Sequence, residues 1–194
     1  MAIDFKFRRS AVKQLTNSIG VYVLCDLDNV PIYVGQSKDG IRKRVARHLT
    51  SARSDIIANR QIDVWEIAYV WTYPVTTKAE IGPLEALLYH HFDPQSQLMN
   101  GAVPPLPDYM AHVLEPAQKI QVMNDTEIED KRDPVQRLPR QAGHYAQIVG
   151  HFLAVKESKQ IARAISAHFQ RLSKYHQTLL AIAATEGVDD EESD

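Results

Sequence analysis

A polar turn between two short apolar runs constrains this chain more than any other feature. Residues 18–48 read SIGVYVLCDLDNVPIYVGQSKDGIRKRVARH. Residues 20–27 and 31–34 are rich in β-branched and aromatic side chains. Between them, Asp26-Leu27-Asp28-Asn29 supplies residues that tolerate tight-turn dihedrals and bond their own backbone. The pattern predicts a β-hairpin. Each strand carries one glycine and one tyrosine in near mirror-image order, Gly20-Val21-Tyr22 and Tyr33-Val34-Gly35. The stretch from Gly35 to Gly40 is expected to break the sheet and launch a helix over residues 41–52. Ile41, Val45, Leu49 and Ala52 recur there at helical spacing. Arg44 and His48 fall one turn apart beside that stripe, at a seam between helix and sheet rather than in bulk water.

Such a hairpin needs partners to pack against, and the following residues supply them. Residues 64–73, VWEIAYVWTY, are apolar on both alternations except at Glu66 and Thr72. That predicts a central strand covered on both faces. Thr77-Lys78-Ala79-Glu80 has the capping-box pattern of a helix start. The helix is expected to run to about Phe92, with Leu84, Leu87, Leu88 and His91 or Phe92 buried. Pro83 lies near its beginning, where a missing N–H costs least, and Glu85 sits beside the stripe at a second seam. At the N-terminus, Phe5, Phe7, Val12 and Leu15 would anchor either a short strand or a helix, with Arg8-Arg9 placed to touch a partner. Residues 54–60 read as a further short helical turn.

After Met99-Asn100-Gly101 the texture changes. Residues 101–140 are rich in prolines and mixed charges and read as a linker or loosely ordered arm, with a short extended piece at 119–123. Helical periodicity returns from about 141, through Tyr145, Ile148, Val149 and Phe152. Ile161, Ile165, Leu172, Tyr175, Leu179 and Ile182 then approximate an a/d seam, with His168 at one seam position. Two roles are open for this hairpin, a homodimer interface through 141–185 or packing on its own domain. The expected fold is α+β, a small antiparallel three-stranded sheet flanked by helices and followed by a helical extension. The expected division is 1–101, 102–140, 141–185 and an acidic disordered tail, 186–194.

Composition narrows the function classes. Hydrophobic residues at 44% and charged residues at 24% are those of a globular chain rather than a disordered one. No apolar run approaches the roughly 18 residues of a membrane span. The N-terminal segment lacks an apolar core and a cleavage site, so a cytoplasmic location without a membrane partner is expected. A single cysteine, Cys25, excludes an intrachain disulfide and Cys-based zinc sites. The net charge of −2 hides an asymmetry, because the tail EGVDDEESD holds six acidic residues and no basic one. Without it, basic residues outnumber acidic ones. Lys38, Arg42, Lys43, Arg44, Arg47 and Arg53 crowd one short segment, a local patch suited to a nucleic-acid backbone.

Residue by residue, each of these features has an ordinary structural explanation. Their order and spacing are more specific, and there the chain resembles the GIY-YIG nuclease superfamily. The family's two tripeptides match Gly20-Val21-Tyr22 and Tyr33-Val34-Gly35, with Val for Ile in each. Its helix arginine matches Arg44, and the histidine often found one turn later matches His48. The glutamate of a later helix matches Glu85, and a closing asparagine matches Asn100. The resemblance covers about residues 18–101.

The resemblance implies a metal-dependent endonuclease hydrolysing DNA phosphodiester bonds, site-specific in the restriction or mobile-element manner. The alternatives are an inactive nucleic-acid-binding or interaction module of the same fold, or a repair or structure-specific nuclease. It implies that Glu85 binds one divalent cation, Mg²⁺ or another such as Mn²⁺. Arg44 would present a permanently charged fork to the phosphate. Tyr22, Tyr33 or both would lie beside the attacking water, with His48 relaying a proton or orienting Tyr22. Lys38, Arg42, Lys43, Arg47 and Arg53 would contact DNA. Gly20 and Gly35 are expected to keep the cleft open, and Asn100 to tie loops together.

Overall fold

A computed structural model describes residues 4–50, 61–107, 115–154 and 158–189. In chain order its elements begin with helix α1 (Phe5–Lys13), strands β1 (Gly20–Cys25) and β2 (Pro31–Ser37), and helix α2 (Ile41–Thr50). Strand β3 (Tyr69–Pro74) and helix α3 (Ile81–Phe92) follow, then β4 (Gln118–Gln121), α4 (Asp125–Arg132), α5 (Pro134–Ala154) and α6 (Lys159–Asp189). The strands form one antiparallel sheet in the order β2-β1-β3-β4. The fold is α+β as expected, but the sheet has four strands rather than three.

The hairpin forms because its turn is chemically specified. Asn29 adopts φ 58°, a left-handed conformation that Asn tolerates. The Asp26 carboxylate accepts hydrogen bonds from the amides of Asp28 and Val30, both at 2.9 Å. β2 does not break at Gly35 but continues to Ser37, pairing Gly35 with Tyr22 across the ladder. β1 is buried along its whole length. Its alternation sends Tyr22 and Leu24 into a core shared with α1 and α2, where Leu15, Ile41, Val45 and Leu49 also lie. Val21, Val23 and Cys25 pack on the opposite face against Leu88, Tyr89 and Phe92 of α3.

Two strand expectations change. Residues 64–66 form a 3-10 turn rather than the start of β3. Asp63 caps that turn by accepting from the Trp65 amide at 3.0 Å. Glu66 is then turned inward, to meet Arg137 and Arg140. β4 is the missing strand. It comes from the proline- and charge-rich stretch, and its polar sequence QKIQ carries no strand-like alternation of its own; it pairs with β3 from Tyr69↔Gln121 to Thr72↔Gln118.

The N-terminal segment resolves as helix, and Arg8 is structural. Its fully buried guanidinium donates to the carbonyls of Val64, Ile67 and Val122 at 3.0–3.3 Å. Burial pushes its pKa down to about 10. The capping box at Thr77 is present, with the Thr77 amide donating to Glu80 Oε1 at 2.9 Å ahead of α3.

Helices α5 and α6 pack on each other through Ile148, Ile161 and Ala164. They also dock on the sheet domain. Arg137 donates to Glu66, to Asp28 at 2.6 Å and to the Tyr175 hydroxyl at 3.0 Å. Arg171 bonds Asp26 at 2.8 Å, the Pro31 carbonyl at 3.0 Å and Ser96 at 2.8 Å. Ala167 enters the main core. The expected seam residues Ile161 and Tyr175 are therefore buried within the chain itself. The helical turn expected at 54–60 and the end of the acidic tail lie outside the described residues.

Candidate active site

The site forms where β2 is the edge of the sheet. Pairing across the hairpin fixes which side chains share a face: Tyr22 opposes Gly35, and Leu24 opposes Tyr33. Tyr22 and Tyr33 thus lie on the α2 side, with ring centroids 6.4 Å apart. His48 descends from α2 between them, its ring centroid 5.8 Å from Tyr22 and 6.3 Å from Tyr33. Tyr22 and His48 are fully buried, and the phenol oxygen shares a hydrogen bond with His48 Nε2 at 2.7 Å. Arg44, one turn before His48, is half-buried on the same helix.

Gly35 makes this arrangement possible. A Cβ there would meet the hydroxyl end of Tyr22 and would lie 2.7 Å from the Tyr33 ring. Its absence lets one phenol pass directly over the opposing strand. Gly20 serves a different purpose from the expected one. Its φ is +149°, and a Cβ would collide with the Tyr73 carbonyl of β3. Close approach of strand backbones, rather than an open cleft, requires glycine there.

Gln36 points to the other face, toward α3, because strand side chains alternate. Its Nε2 donates to Glu85 Oε2 at 2.7 Å. Glu85 is half-buried, and burial raises its pKa above the ordinary carboxylate value; the Gln36 bond and the charge of Lys38 act in the opposite direction. Asn100 closes the edge. It accepts from the Val34 amide at 3.0 Å and donates to the Val34 carbonyl at 2.6 Å, while the Met99 amide donates to Ile32 at 2.8 Å. These bonds satisfy the outer edge of β2 and bring residues 98–101 alongside the site.

Tyr33, Glu85 and Asn100 line one cavity of about 480 Å³, together with Gln36, Gln61 and Tyr89. Residues 101–105 and Gln160 of α6 complete its wall. Tyr22 and His48 stand behind Tyr33 and do not line it. Gln36 was legible in principle, since it directly follows Tyr33-Val34-Gly35 and must face away from Tyr33. Gln160 gave no local signal, because only the docking of α6 brings it here.

The expected DNA contacts divide. Lys38 and Arg47 are exposed. Lys43 is exposed and pairs with Asp39 at 3.2 Å. Arg42 is used within the fold, its Nε donating to the Leu15 carbonyl at 2.6 Å. Arg53 lies outside the described residues. Among the described residues no group of three His, Cys, Asp or Glu side chains forms a metal cage. A single half-buried carboxylate with one oxygen already held by an amide suits a hard cation that keeps most of its waters, as Mg²⁺ does.

Two phenols and an imidazole on one face of the sheet edge, and a carboxylate on the other, are chemical types able to contact a phosphodiester. No curated protein matches the chain. Residues 18–97 match the family model of the GIY-YIG catalytic domain, a span that holds Tyr22, Tyr33, Arg44, His48 and Glu85. Over those residues the chain is similar to the GIY-YIG catalytic domain, a nuclease-type domain.

Proposed function

We propose that this chain is a metal-dependent endonuclease that hydrolyses DNA phosphodiester bonds at preferred sites. One observation carries the reading: Tyr33 and Glu85, from opposite faces of the sheet, line the same cavity at the β2 edge. A phosphate seated there would meet a phenol on one side and a carboxylate on the other.

Glu85 is the ligand for the cation, with Gln36 holding one carboxylate oxygen and leaving the other for the ion. When bound, a divalent cation supplies Lewis-acid stabilisation of charge on the phosphate and the departing 3′ oxygen. Tyr33, the phenol on the cavity wall, orients the attacking water. Tyr22 and His48 form a buried, hydrogen-bonded pair that holds Tyr33's position from behind. Arg44 offers planar, permanent positive charge to the non-bridging oxygens. In the hydrolysis the water oxygen bonds phosphorus as the bond to the 3′ oxygen breaks; the water's proton passes to solvent on the tyrosine side, and the departing 3′ oxygen takes a proton from solvent to leave as a hydroxyl. Exposed Lys38, Lys43 and Arg47 engage the flanking backbone.

The test is cleavage of plasmid and linear DNA by purified protein with and without Mg²⁺. Tyr33→Phe is expected to lower the rate by about 10²-fold or more, the usual scale for losing a proton-handling group. DNA binding should persist in that variant. Equal cutting by Tyr33→Phe and wild type would contradict the assignment.

A further inference from the structure

Tyr33 and Glu85 are only two of the twelve residues that line the cavity. Its 480 Å³ corresponds to about sixteen water molecules at about 30 Å³ each, well beyond what a phosphodiester group and an ion displace. The rest of the lining includes Gln61, Tyr89, residues 101–105 and Gln160, a wall of amide, aromatic and apolar groups.

Gln61 is the informative residue. It is 6% exposed, and its carbonyl accepts from His168 Nε2 of α6 at 2.9 Å. Gln61 lines the cavity, and its Nε2 lies beside Gly101 on the same wall, which puts a carboxamide there with both a donor and an acceptor to offer. A Cβ on Gly101 would lie 2.6 Å from Gln61 Nε2 and 2.8 Å from Gln160 Cβ, so the two glutamines flank this glycine on the cavity wall. The wall is held in place as well. Arg163, one turn along α6, pairs with Asp93 at 2.5 Å and lies over the Tyr89 ring at 5.6 Å.

We propose that the glutamine-bearing wall of this cavity receives the nucleobase adjoining the scissile phosphate, with Gln61 and Gln160 reading its edge. The proposal rests on the nuclease reading and adds what selects the site. A carboxamide presents one acceptor and a pair of donors, which complements the N7 acceptor and N6 donor of adenine. The base enters unstacked, because a pocket behind a sheet edge cannot admit a paired base within a duplex. The helical extension is then part of the substrate site.

Two measurements on the full chain test this. The first is saturation-transfer NMR with each of the four deoxynucleoside 5′-monophosphates. Base-proton contacts should be strongest for dAMP and fall severalfold in Gln61→Leu and in Gln160→Ala. Gln160 is exposed, so its variant carries little risk of misfolding. The second is sequencing of the ends cut from a randomised duplex with Mg²⁺. Adenine should be enriched about tenfold at a nucleotide flanking the cut, the scale of one bidentate contact, and the enrichment should collapse in both variants. Absence of base-selective contacts, or an unchanged cutting bias in both variants, would overturn the subsite. Cutting without base bias would overturn the subsite and leave the nuclease reading intact. Base-selective binding without any cutting would support the subsite and overturn the nuclease reading.

Discussion

Gly35 shows how tightly single positions are determined here. The Tyr22 phenol passes over it to reach His48 at 2.7 Å. Gly35→Ala therefore cannot be absorbed by a surface rotation, because the colliding atoms belong to two aromatic rings packed in the core. Overpacking of this kind costs about 1–3 kcal/mol, and the displaced tyrosines should cost cleavage activity as well. A urea titration beside a cleavage assay would check both; unchanged values in each would show that the close approach is unimportant. Tyr22→Phe separates the polar contact from the packing. It keeps the ring but takes the phenol away from the buried His48 nitrogen, which costs about 1–3 kcal/mol for an unsatisfied buried group, read as a lowered urea midpoint.

At the scale of elements, the helical extension is held by buried charge. Arg137 meets Glu66 and Asp28, and Tyr175 donates to Glu66 at 3.3 Å. Burial raises the pKa of Glu66 despite its two arginines, so this carboxylate depends on its partners. Arg137→Met should destabilise the fold by about 3–5 kcal/mol, the usual cost of breaking a buried pair on one side, as thermal unfolding would show. His168 makes the docking of α6 sensitive to pH. Burial first, and then neighbouring His144, push its pKa from 6.5 down to about 3. The unfolded chain therefore binds a proton below pH 6.5 that the folded chain refuses until about pH 3, and stability falls as pH drops through that window. At pH 5 the loss is about 2 kcal/mol. His168→Gln, which retains a donor for the Gln61 carbonyl, should flatten that part of the profile in urea titrations at pH 5 and 7.5. These contacts also explain what was legible in the sequence. The hairpin, α2 and α3 were readable because turn residues, a capping box and apolar periodicity are local signals. The start of β3 was not, because the residue that leaves the strand pattern, Glu66, answers to an arginine more than seventy positions away. β4 was legible only as a short extended piece at 119–123, because QKIQ becomes a fourth sheet strand through the edge of β3 that pairs with it. Of the candidate site, Tyr22, Tyr33, Gly35, Glu85 and Asn100 were picked out by the family resemblance that their order and spacing carry. Gln61 and Gln160 were not, since a glutamine acquires meaning only from the cavity it faces.

Over the whole molecule, the catalytic domain and the extension meet around one cavity, and the charge that faces outward is modest. Arg42 is committed to the Leu15 carbonyl, which leaves Lys38, Lys43 and Arg47 as the exposed cations of the patch among the described residues. Removing one cation from a DNA phosphate should make the slope of log K against log salt shallower by about 0.9. The double variant Lys43→Ala with Arg47→Ala should therefore flatten the slope for DNA binding by about 2, measured by fluorescence anisotropy across a salt series. An unchanged slope would place the DNA elsewhere. Above all, the proposed function puts Glu85 and Tyr33 in one hydrolytic site. The decisive comparison is between wild type and Glu85→Gln for cutting of supercoiled plasmid in Mg²⁺, with DNA binding followed in parallel. Wild type is expected to give nicked or linear product and Glu85→Gln none, with binding retained by both. Equal cutting by Glu85→Gln, or no cutting by the wild type on any duplex, branched or single-stranded DNA, would contradict that assignment.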